Sequence, residues 1–176
     1  MSRLESGLQR LRLWDQALCI RFNYAVRIAP VCRALRIVSR LGDGVFWYSL
    51  MFALVAADGA RALAPVARMA ATGLVCTLLY KWLKSKTSRP RPFAVENAVR
   101  AGADPLDPFS FPSGHTLHAV AFSVIAIAFY PVLAWSLVPF TLLVAISRVV
   151  LGLHYPSDVL AGAALGALIS AASLNL

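Results

Sequence analysis

Residues 112–132 read PSGHTLHAVAFSVIAIAFYPV and join a short polar turn to an apolar run without Lys, Arg, Asp or Glu. An apolar helix needs about 20 residues to cross the hydrocarbon core of a bilayer, and residues 116–132 lie near the short end of that range. The turn is typical of a helix start, because the hydroxyl of Ser113 can accept a hydrogen bond from the first turn. This stretch therefore predicts a membrane helix that begins beside a polar turn.

Four further apolar stretches flank this one. Of the 176 residues, 59% are hydrophobic and only 14% are charged, well below the roughly 25% charge of a soluble domain. Breaks at Asp58-Gly59, at 84–111, near Pro131 and at 148–156 separate the stretches. We therefore expect an all-α, polytopic membrane helix bundle with about five transmembrane helices, at 44–57, 63–82, 116–132, 133–146 and 159–174.

The first forty residues are rich in arginine and too polar to cross a bilayer. Leu11, Leu18 and Phe22 recur at spacings of seven and four, which favours amphipathic helices that lie in the membrane interface and break near Pro30. An ordinary surface helix packed on the bundle would show the same spacing.

One domain is expected over residues 1–176, with an interfacial segment at 1–42 and a transmembrane core at 43–176. The formal net charge of +9 suits an anionic membrane surface, and the apolar spans exclude nucleic acid as the partner. Residues 1–15 contain Arg and Glu where a cleavable signal peptide needs an uninterrupted apolar run. The three cysteines are scattered and lack the spacing of metal ligands.

Three polar clusters interrupt the apolar pattern. If the spans cross the membrane alternately, the loop at 84–111, the start of the span at 116 and the turn at 148–156 share one membrane face. Cations gathered there can neutralise the oxygens of a phosphoryl group, the task that Mg²⁺ performs in many phosphoryl-transfer enzymes. The clusters are Lys84 with Arg91, then Ser113, Gly114 and His115, then Arg148, His154 and Asp158.

The two histidines have neighbours that allow different roles. Gly114 lets the backbone at a helix start approach an anion closely, and His115 follows it directly. Asp158 lies four residues after His154, and Pro156 favours a helix start between them, so one turn can bring the carboxylate against the imidazole. That contact would fix the tautomer and leave the other nitrogen free to attack phosphorus. One histidine could thus be a nucleophile and the other a general acid.

The spacing of these residues resembles that of a known enzyme family. Residues 84–92 read K-x6-R-P, residues 112–115 read P-S-G-H, and residues 147–158 read S-R-x5-H-x3-D. In order and spacing these are similar to the three signature motifs of the type 2 phosphatidic acid phosphatase family, the lipid phosphate phosphatases. No position departs from the motifs. Members of the family often have six spans, however, and here the first of them is either absent or replaced by the interfacial segment.

The resemblance implies a hydrolase that needs no metal and no other cofactor. His154 would form a covalent phosphohistidine intermediate, Asp158 would orient it, and His115 would protonate the leaving group. The phosphoryl oxygens would be held by Lys84, Arg91, Arg148, Ser113 and Gly114. The implied substrate is a phosphorylated or diphosphorylated lipid of the bilayer, because the phosphate site lies at the membrane surface.

Several substrates and functions remain open at this point. Undecaprenyl diphosphate, phosphatidylglycerol phosphate, phosphatidic acid and lipid A phosphate all satisfy the pattern, and the oligomeric state is not specified. A non-catalytic protein that binds or translocates lipid phosphates would keep the same anion site, and vanadate-dependent haloperoxidases resemble the same motifs. A metal site on His115, His154 and Asp158 would lack the further carboxylates or cysteines of a di-metal hydrolase.

Charge bias and resemblance disagree about which membrane face carries the site. Lys and Arg residues outside the motifs are concentrated on the membrane face that carries the site. The positive-inside rule would place that face in the cytoplasm. Bacterial members of the family commonly face the periplasm, and an interfacial helix recruits cations for its own reasons. We expect an integral protein of the bacterial cytoplasmic (inner) membrane with its site on the periplasmic face.

Three other features have structural interpretations. His118, on the helical face of His115, is predicted to be a satisfied core residue. Arg68 lies near the start of a span, from which it can snorkel to the interface. Gly162 and Gly166 form a G-x-x-x-G pattern that predicts close helix packing. Arg89 has no role assigned by the sequence.

Overall fold

The computed structural model describes residues 3–176, and its described residues form α-helices and short 3₁₀ turns without a β-strand. The 3₁₀ turns lie at Tyr24–Arg27, Gly59–Ala62 and Pro131–Leu133. The prediction of an all-α fold is confirmed. The helices are α1 (Arg3–Asn23), α2 (Ala29–Gly42), α3 (Val45–Asp58), α4 (Leu63–Thr87), α5 (Pro92–Val95), α6 (Gly114–Phe129), α7 (Ala134–Val150) and α8 (Pro156–Leu174).

Helices α3, α4, α6, α7 and α8 correspond to the predicted spans. Three stretches are apolar and long enough to cross a membrane, namely Val45–Thr87, Pro131–Val150 and Pro156–Leu174, and α6 is a shorter apolar helix. The helical membrane fold is therefore as predicted, whereas the count of five crossings stays a prediction. Helix α4 continues to Thr87, beyond the predicted end at 82, because hydropathy marks the end of the apolar part and not of the helix.

Helix α6 packs against α4, α7 and α8, and glycines make its contact with α8 especially close. A Cβ atom at Gly162 would lie 2.6 Å from the carbonyl oxygen of Ser113, and one at Gly166 would lie 2.4 Å from that of Leu117. The G-x-x-x-G pattern thus has its predicted packing role. Large apolar side chains fill the neighbouring core, among them Trp47, Met51, Met69, Phe122 and Ile125.

Helices α1 and α2 pack across one end of this bundle, with α2 mainly against α7. Pro30 lies in the first turn of α2, at the predicted break. The outer surface of the segment exposes large apolar side chains, including Leu13, Trp14, Phe22 and Ile37. Its inner surface buries Asp15, Cys19, Asn23, Cys32 and Ser39. The segment is therefore packed on the bundle while keeping an apolar outer surface, and its position in the interface stays a prediction.

Hydrogen bonds join the loop between α4 and α6 to the turn after α7. They bring the first and third sequence motifs close together. The backbone N–H of Gly102 donates to the carbonyl of Leu151 at 2.9 Å. The side chain of Asn23 exchanges hydrogen bonds with the backbone of Arg100 and also donates to the carbonyl of Val150. The end of α1 thus fixes both chain segments at once.

Structural partners hold the other end of the bundle. Tyr130 donates to Asp58 at 3.0 Å, which joins the end of α6 to the end of α3. The guanidinium of Arg68 donates to the carbonyl of Ser173 in the last turn of α8. Because this contact satisfies a carbonyl at a helix C-terminus, Arg68 has a structural role.

Candidate active site

The three polar clusters of the sequence meet at one end of the bundle, around a cavity of about 800 Å³. Two of the eight predicted site residues, Ser113 and Asp158, are fully buried beside this cavity. The other six line it: Lys84, Arg91, Gly114, His115, Arg148 and His154. Tertiary structure thus brings residues from α4, the following loop, α6, α7 and the turn before α8 to one place.

Three cations with little solvent access surround the polar end of the cavity. Lys84, Arg91 and Arg148 expose only 7%, 2% and 3% of their surface. A buried cation is costly unless an anion or a hydrogen-bond acceptor compensates it. Their convergence on one cavity therefore creates a site that favours an anionic group.

Asp107, in the loop before α6, contacts two of these cations. Its carboxylate lies 2.6 Å from Nζ of Lys84 and 3.2 Å from Nη2 of Arg91. Burial alone would raise the pKa of Asp107, but the hydrogen bond and charge of Lys84, together with Arg91, hold that pKa below its usual value. An ionised carboxylate thus engages the cations that a phosphoryl group would engage, and bound phosphate would compete with it.

His154 is almost inaccessible to solvent and faces the cations with one ring nitrogen. Its Nε2 lies 3.3 Å from Nη1 of Arg91, whose same nitrogen donates to the carbonyl of Leu153 at 2.8 Å. Burial, and after it the charges of Arg148, Arg91 and Lys84, lower the pKa of His154 well below its ordinary value. The imidazole is therefore neutral at physiological pH, as a nucleophile must be.

Asp158 lies behind His154, at a distance longer than a hydrogen bond. Its Oδ2 is 3.8 Å from Nδ1 of His154. Both carboxylate oxygens have other partners: Oδ2 accepts from the backbone N–H of Tyr155 at 2.8 Å, and Oδ1 accepts from Arg89 at 2.6 Å. The one-turn approach predicted from the spacing is present, whereas the tight imidazole contact is not, because these partners hold the carboxylate.

Arg89 links the start of α8 to the N-terminal helix α1. It donates to Asp158 through Nη1 and to Asp15 through Nη2, at 2.6 and 2.8 Å. Asp15 is itself buried in α1 and accepts from the backbone N–H and the hydroxyl of Ser157. The sequence offers one signal for this pairing: Asp15 is an acidic residue in an arginine-rich helix.

The P-S-G-H turn begins α6 as the sequence predicts. The hydroxyl of Ser113 lies 3.0 Å from that of Thr116 and accepts from its backbone N–H at 3.5 Å, so it caps the helix. A Cβ at Gly114 would stand 3.6 Å from the ring of Tyr80, and the backbone there lines the cavity. The phosphate-binding roles of Ser113 and Gly114 stay predictions, and the hydroxyl of Ser113 serves the cap in this state.

Helix α2 and the turn after it supply two contacts that the sequence analysis missed. Arg148 donates to the hydroxyl of the buried Ser39. Nε2 of His115 contacts the carboxylate of Asp43. Both partners come from outside the three motifs, and no local pattern in the sequence links them to the site.

Both ring nitrogens of His118 are satisfied, as the sequence predicts, but the residue is half-buried and lines the cavity instead of lying in the core. Its Nδ1 lies 2.9 Å from the carbonyl of Gly114, and its Nε2 lies 3.1 Å from the hydroxyl of Thr77. Across residues 3–176, no group of three or more His, Cys, Asp or Glu side chains is arranged to hold a metal ion.

The chain is similar to known proteins in sequence and in fold. The sequence pattern described as the PAP2 superfamily matches residues 61–176. Undecaprenyl-diphosphatase BcrC of Bacillus subtilis is 42% identical over 74 residues, which cover 40% of this chain and 36% of that protein. The bacitracin transport permease protein BcrC of Bacillus licheniformis is 35% identical over 95 residues, 54% of this chain and 47% of that protein. The chain thus spans less than half the length of these curated relatives.

Two crystal structures resemble the whole bundle. The first transmembrane PAP2 type phosphatidylglycerolphosphate phosphatase from Bacillus subtilis has a TM-score of 0.75 and 26% identity, and the match covers 94% of this chain and 85% of that one. LpxE of Aquifex aeolicus has a TM-score of 0.76 at 24% identity, with coverage of 91% and 94%. The likeness to LpxE shows the fold alone.

Proposed function

The chain belongs to the PAP2 superfamily, and we propose that it is a metal-independent phosphatase acting on a phosphorylated membrane lipid. One observation carries this proposal: a single cavity has two histidines and three buried cations at its polar end, and an apolar wall that includes Trp47, Met51, Leu74 and Phe122. A phosphate group is stabilised by cations, whereas a hydrocarbon chain is stabilised by apolar side chains. A cavity that meets both suits an amphiphile better than a water-soluble phosphate ester.

The first step would transfer the phosphoryl group to the protein. The lone pair on Nε2 of His154 attacks phosphorus while the buried cations bind the nonbridging oxygens and neutralise their charge. The bond between the terminal phosphorus and the oxygen that links it to the rest of the lipid breaks, and that oxygen takes a proton from His115. The products are the dephosphorylated lipid and a phosphohistidine at position 154.

The second step would hydrolyse this intermediate. A water molecule gives a proton to His115 and attacks phosphorus, and the phosphorus–nitrogen bond breaks. Orthophosphate leaves, and His154 is restored as a neutral imidazole. Charge stabilisation in both steps is assigned to Lys84, Arg91 and Arg148, which occupy the role that a divalent cation has in many phosphoryl-transfer enzymes.

The substrate class is proposed as a lipid with a terminal phosphate, as a monoester or a diphosphate. The similar proteins named above include an undecaprenyl-diphosphatase and a phosphatidylglycerolphosphate phosphatase, so both kinds occur among them. A non-catalytic lipid-phosphate binder is the alternative, because it would use the same cations. The buried, neutral His154 favours the enzyme, since binding alone does not require a nucleophile.

We expect detergent-purified protein to release phosphate from at least one lipid of a panel, at an unchanged rate in EDTA. The panel contains undecaprenyl diphosphate, phosphatidylglycerol phosphate, phosphatidic acid and lipid A. The rate should survive chelation because the protein's own cations supply the positive charge. Activity that EDTA abolishes and only a divalent cation restores would contradict the mechanism, and lipid binding without phosphate release would identify the binder.

The apolar helices and the transmembrane relatives make this chain an integral membrane protein. We propose that it lies in the bacterial inner membrane with the active-site end facing the periplasm. This choice rests on the resemblance to bacterial family members, against the charge bias. Ala98 is exposed in the loop at the active-site end, and Ala60 is exposed at the other end, so the two positions form a matched pair.

An impermeant maleimide should label Ala98→Cys protein in intact spheroplasts and should label Ala60→Cys protein only after lysis. The wild type provides the background, because its cysteines are all buried: Cys19, Cys32 and Cys76. The reverse pattern, with Ala60→Cys labelled in intact spheroplasts, would place the active site in the cytoplasm.

A further inference from the structure

Asp43 lies in the turn between α2 and α3 and contacts the ring of His115. Its Oδ1 meets Nε2 of His115, and the two side chains are 22% and 9% exposed. A Cβ at Gly42 would lie 3.2 Å from the methyl groups of Val144, and Gly44 has a φ of +136°, which L side chains rarely adopt. The two glycines therefore hold Asp43 close against the bundle.

The position of this carboxylate is not explained by the helix that it follows. The backbone N–H of Asp43 donates to the carbonyl of Arg40 and closes α2. Its carboxylate cannot cap the end of a helix, since an ionised carboxylate only accepts hydrogen bonds and the unsatisfied groups there are carbonyls. A negative charge at a helix C-terminus is also unfavourable to the helix dipole. The side chain is thus placed against local preference, which is typical of a functional position.

Among the charged groups around His115, Asp43 is the one that favours the protonated ring. Arg148 from α7, Lys84 from α4 and Asp43 from the turn all act on it electrostatically, and His154 lies across the same cavity. Burial would raise the pKa of Asp43, but the hydrogen bond and charge of His115, with Arg148 and Arg40, hold that pKa below its usual value. Asp43 is therefore an anion at neutral pH, and its hydrogen bond and charge favour the protonated form of His115, which burial and the charges of Arg148 and Lys84 oppose.

We propose that Asp43 is the positioning residue of the proton donor: it holds His115 through Nε2, directs Nδ1 to the leaving oxygen and stabilises the imidazolium form. This inference rests on the proposed phosphatase reaction. In the first step the proton leaves Nδ1 of His115 for the lipid oxygen as the phosphorus–oxygen bond breaks. In the second step the proton of water returns to Nδ1, and Asp43 again balances the charge on the ring. Asp43 itself stays ionised throughout.

The leaving group provides the decisive test, because only a poor leaving group needs a proton donor. With enzyme in excess over substrate, release of the leaving group reports the first step alone. Phosphatidic acid has an alcohol as leaving group, and p-nitrophenyl phosphate has a phenolate that departs without a proton. We expect Asp43→Asn to slow diacylglycerol release on the order of 10–10²-fold and to change nitrophenolate release less than about threefold. Asp43→Glu should recover part of the loss.

Asp104→Asn is the matched control. Asp104 is exposed and lines, with Asp43, a second cavity of about 310 Å³ beside His115. The exchange removes the same charge from the same region without touching the ring, so both rates should stay within about twofold of wild type.

The outcomes separate this inference from the function on which it rests. An equal loss with both substrates in Asp43→Asn would show a merely structural role and overturn the inference, as would unchanged diacylglycerol release. Faster release in Asp43→Asn would overturn it as well, because Asp43 would then be an inhibitory contact. A wild-type protein that releases neither leaving group nor phosphate from any lipid of the panel would instead overturn the proposed function.

Discussion

His154→Ala should lower kcat for phosphate release on the order of 10⁴-fold or more, because removal of a covalent nucleophile leaves only the binding and electrostatic contributions. The structure supports this expectation: His154 is buried, neutral and directed by Nε2 at the cations. Substrate binding should survive, since Lys84, Arg91 and Arg148 remain. The measurement is turnover of the best lipid of the panel, with affinity for that lipid measured in the same preparation.

Trapping the phosphohistidine intermediate would tie the loss of turnover in His154→Ala to covalent catalysis. Wild-type protein quenched during turnover of a phosphate-labelled lipid should carry acid-labile label, and His154→Ala should carry none. His118→Ala is the matched control, because His118 lines the same cavity while both of its ring nitrogens already have partners in Gly114 and Thr77. It should cost stability and leave kcat within about tenfold of wild type. Near-normal turnover by a folded His154→Ala protein would rule out the covalent mechanism.

Arg148→Lys should lower kcat on the order of 10²–10³-fold although it keeps the charge. The guanidinium is almost fully buried and donates through Nη1 to Ser39, while its Nε has no partner among the described residues. A planar guanidinium can donate to Ser39 and to a phosphoryl oxygen at the same time. A lysine ammonium is a compact charge and cannot form both hydrogen bonds in this geometry. The loss should appear in kcat because charge on the phosphoryl group develops in the transition state.

The same exchange at the other end of the bundle tests whether the loss is local. Arg68 donates to the carbonyl of Ser173, and Arg68→Lys should change kcat by less than about twofold. Similar losses in both variants, or a thermal unfolding midpoint lowered equally in both, would indicate general destabilisation instead of a phosphate-binding role for Arg148.

The site could be predicted in large part because its residues carry local signals. A cation at a helix end, a P-S-G-H turn ahead of an apolar run and an aspartate one turn after a histidine are all short-range patterns. The structure brings Lys84, Arg91, His115, Arg148 and His154 to one cavity. Their catalytic and binding roles, and the single domain over 1–176, stay predictions.

What the sequence missed are the partners of these residues. Asp107 pairs with Lys84 and Arg91, Asp15 reaches Asp158 through Arg89, Ser39 contacts Arg148, and Asp43 contacts His115. Each lies in a segment whose own pattern has another explanation, as loop, interfacial helix or helix end. Asp158 shows the converse: its spacing predicted a contact with His154 that competing partners hold at 3.8 Å.

By itself, the sequence determined that this is an apolar helical membrane protein, and it predicted a phosphate site at one end of its helices. Hydropathy and i, i+4 spacing act within a few turns of chain, so they need no knowledge of the fold. Only the tertiary structure decided which carboxylates and hydroxyls hold the catalytic groups. Those contacts join segments far apart in the chain, such as Asp15 and Arg89, and they exist because buried charges must find partners once packing has removed them from water.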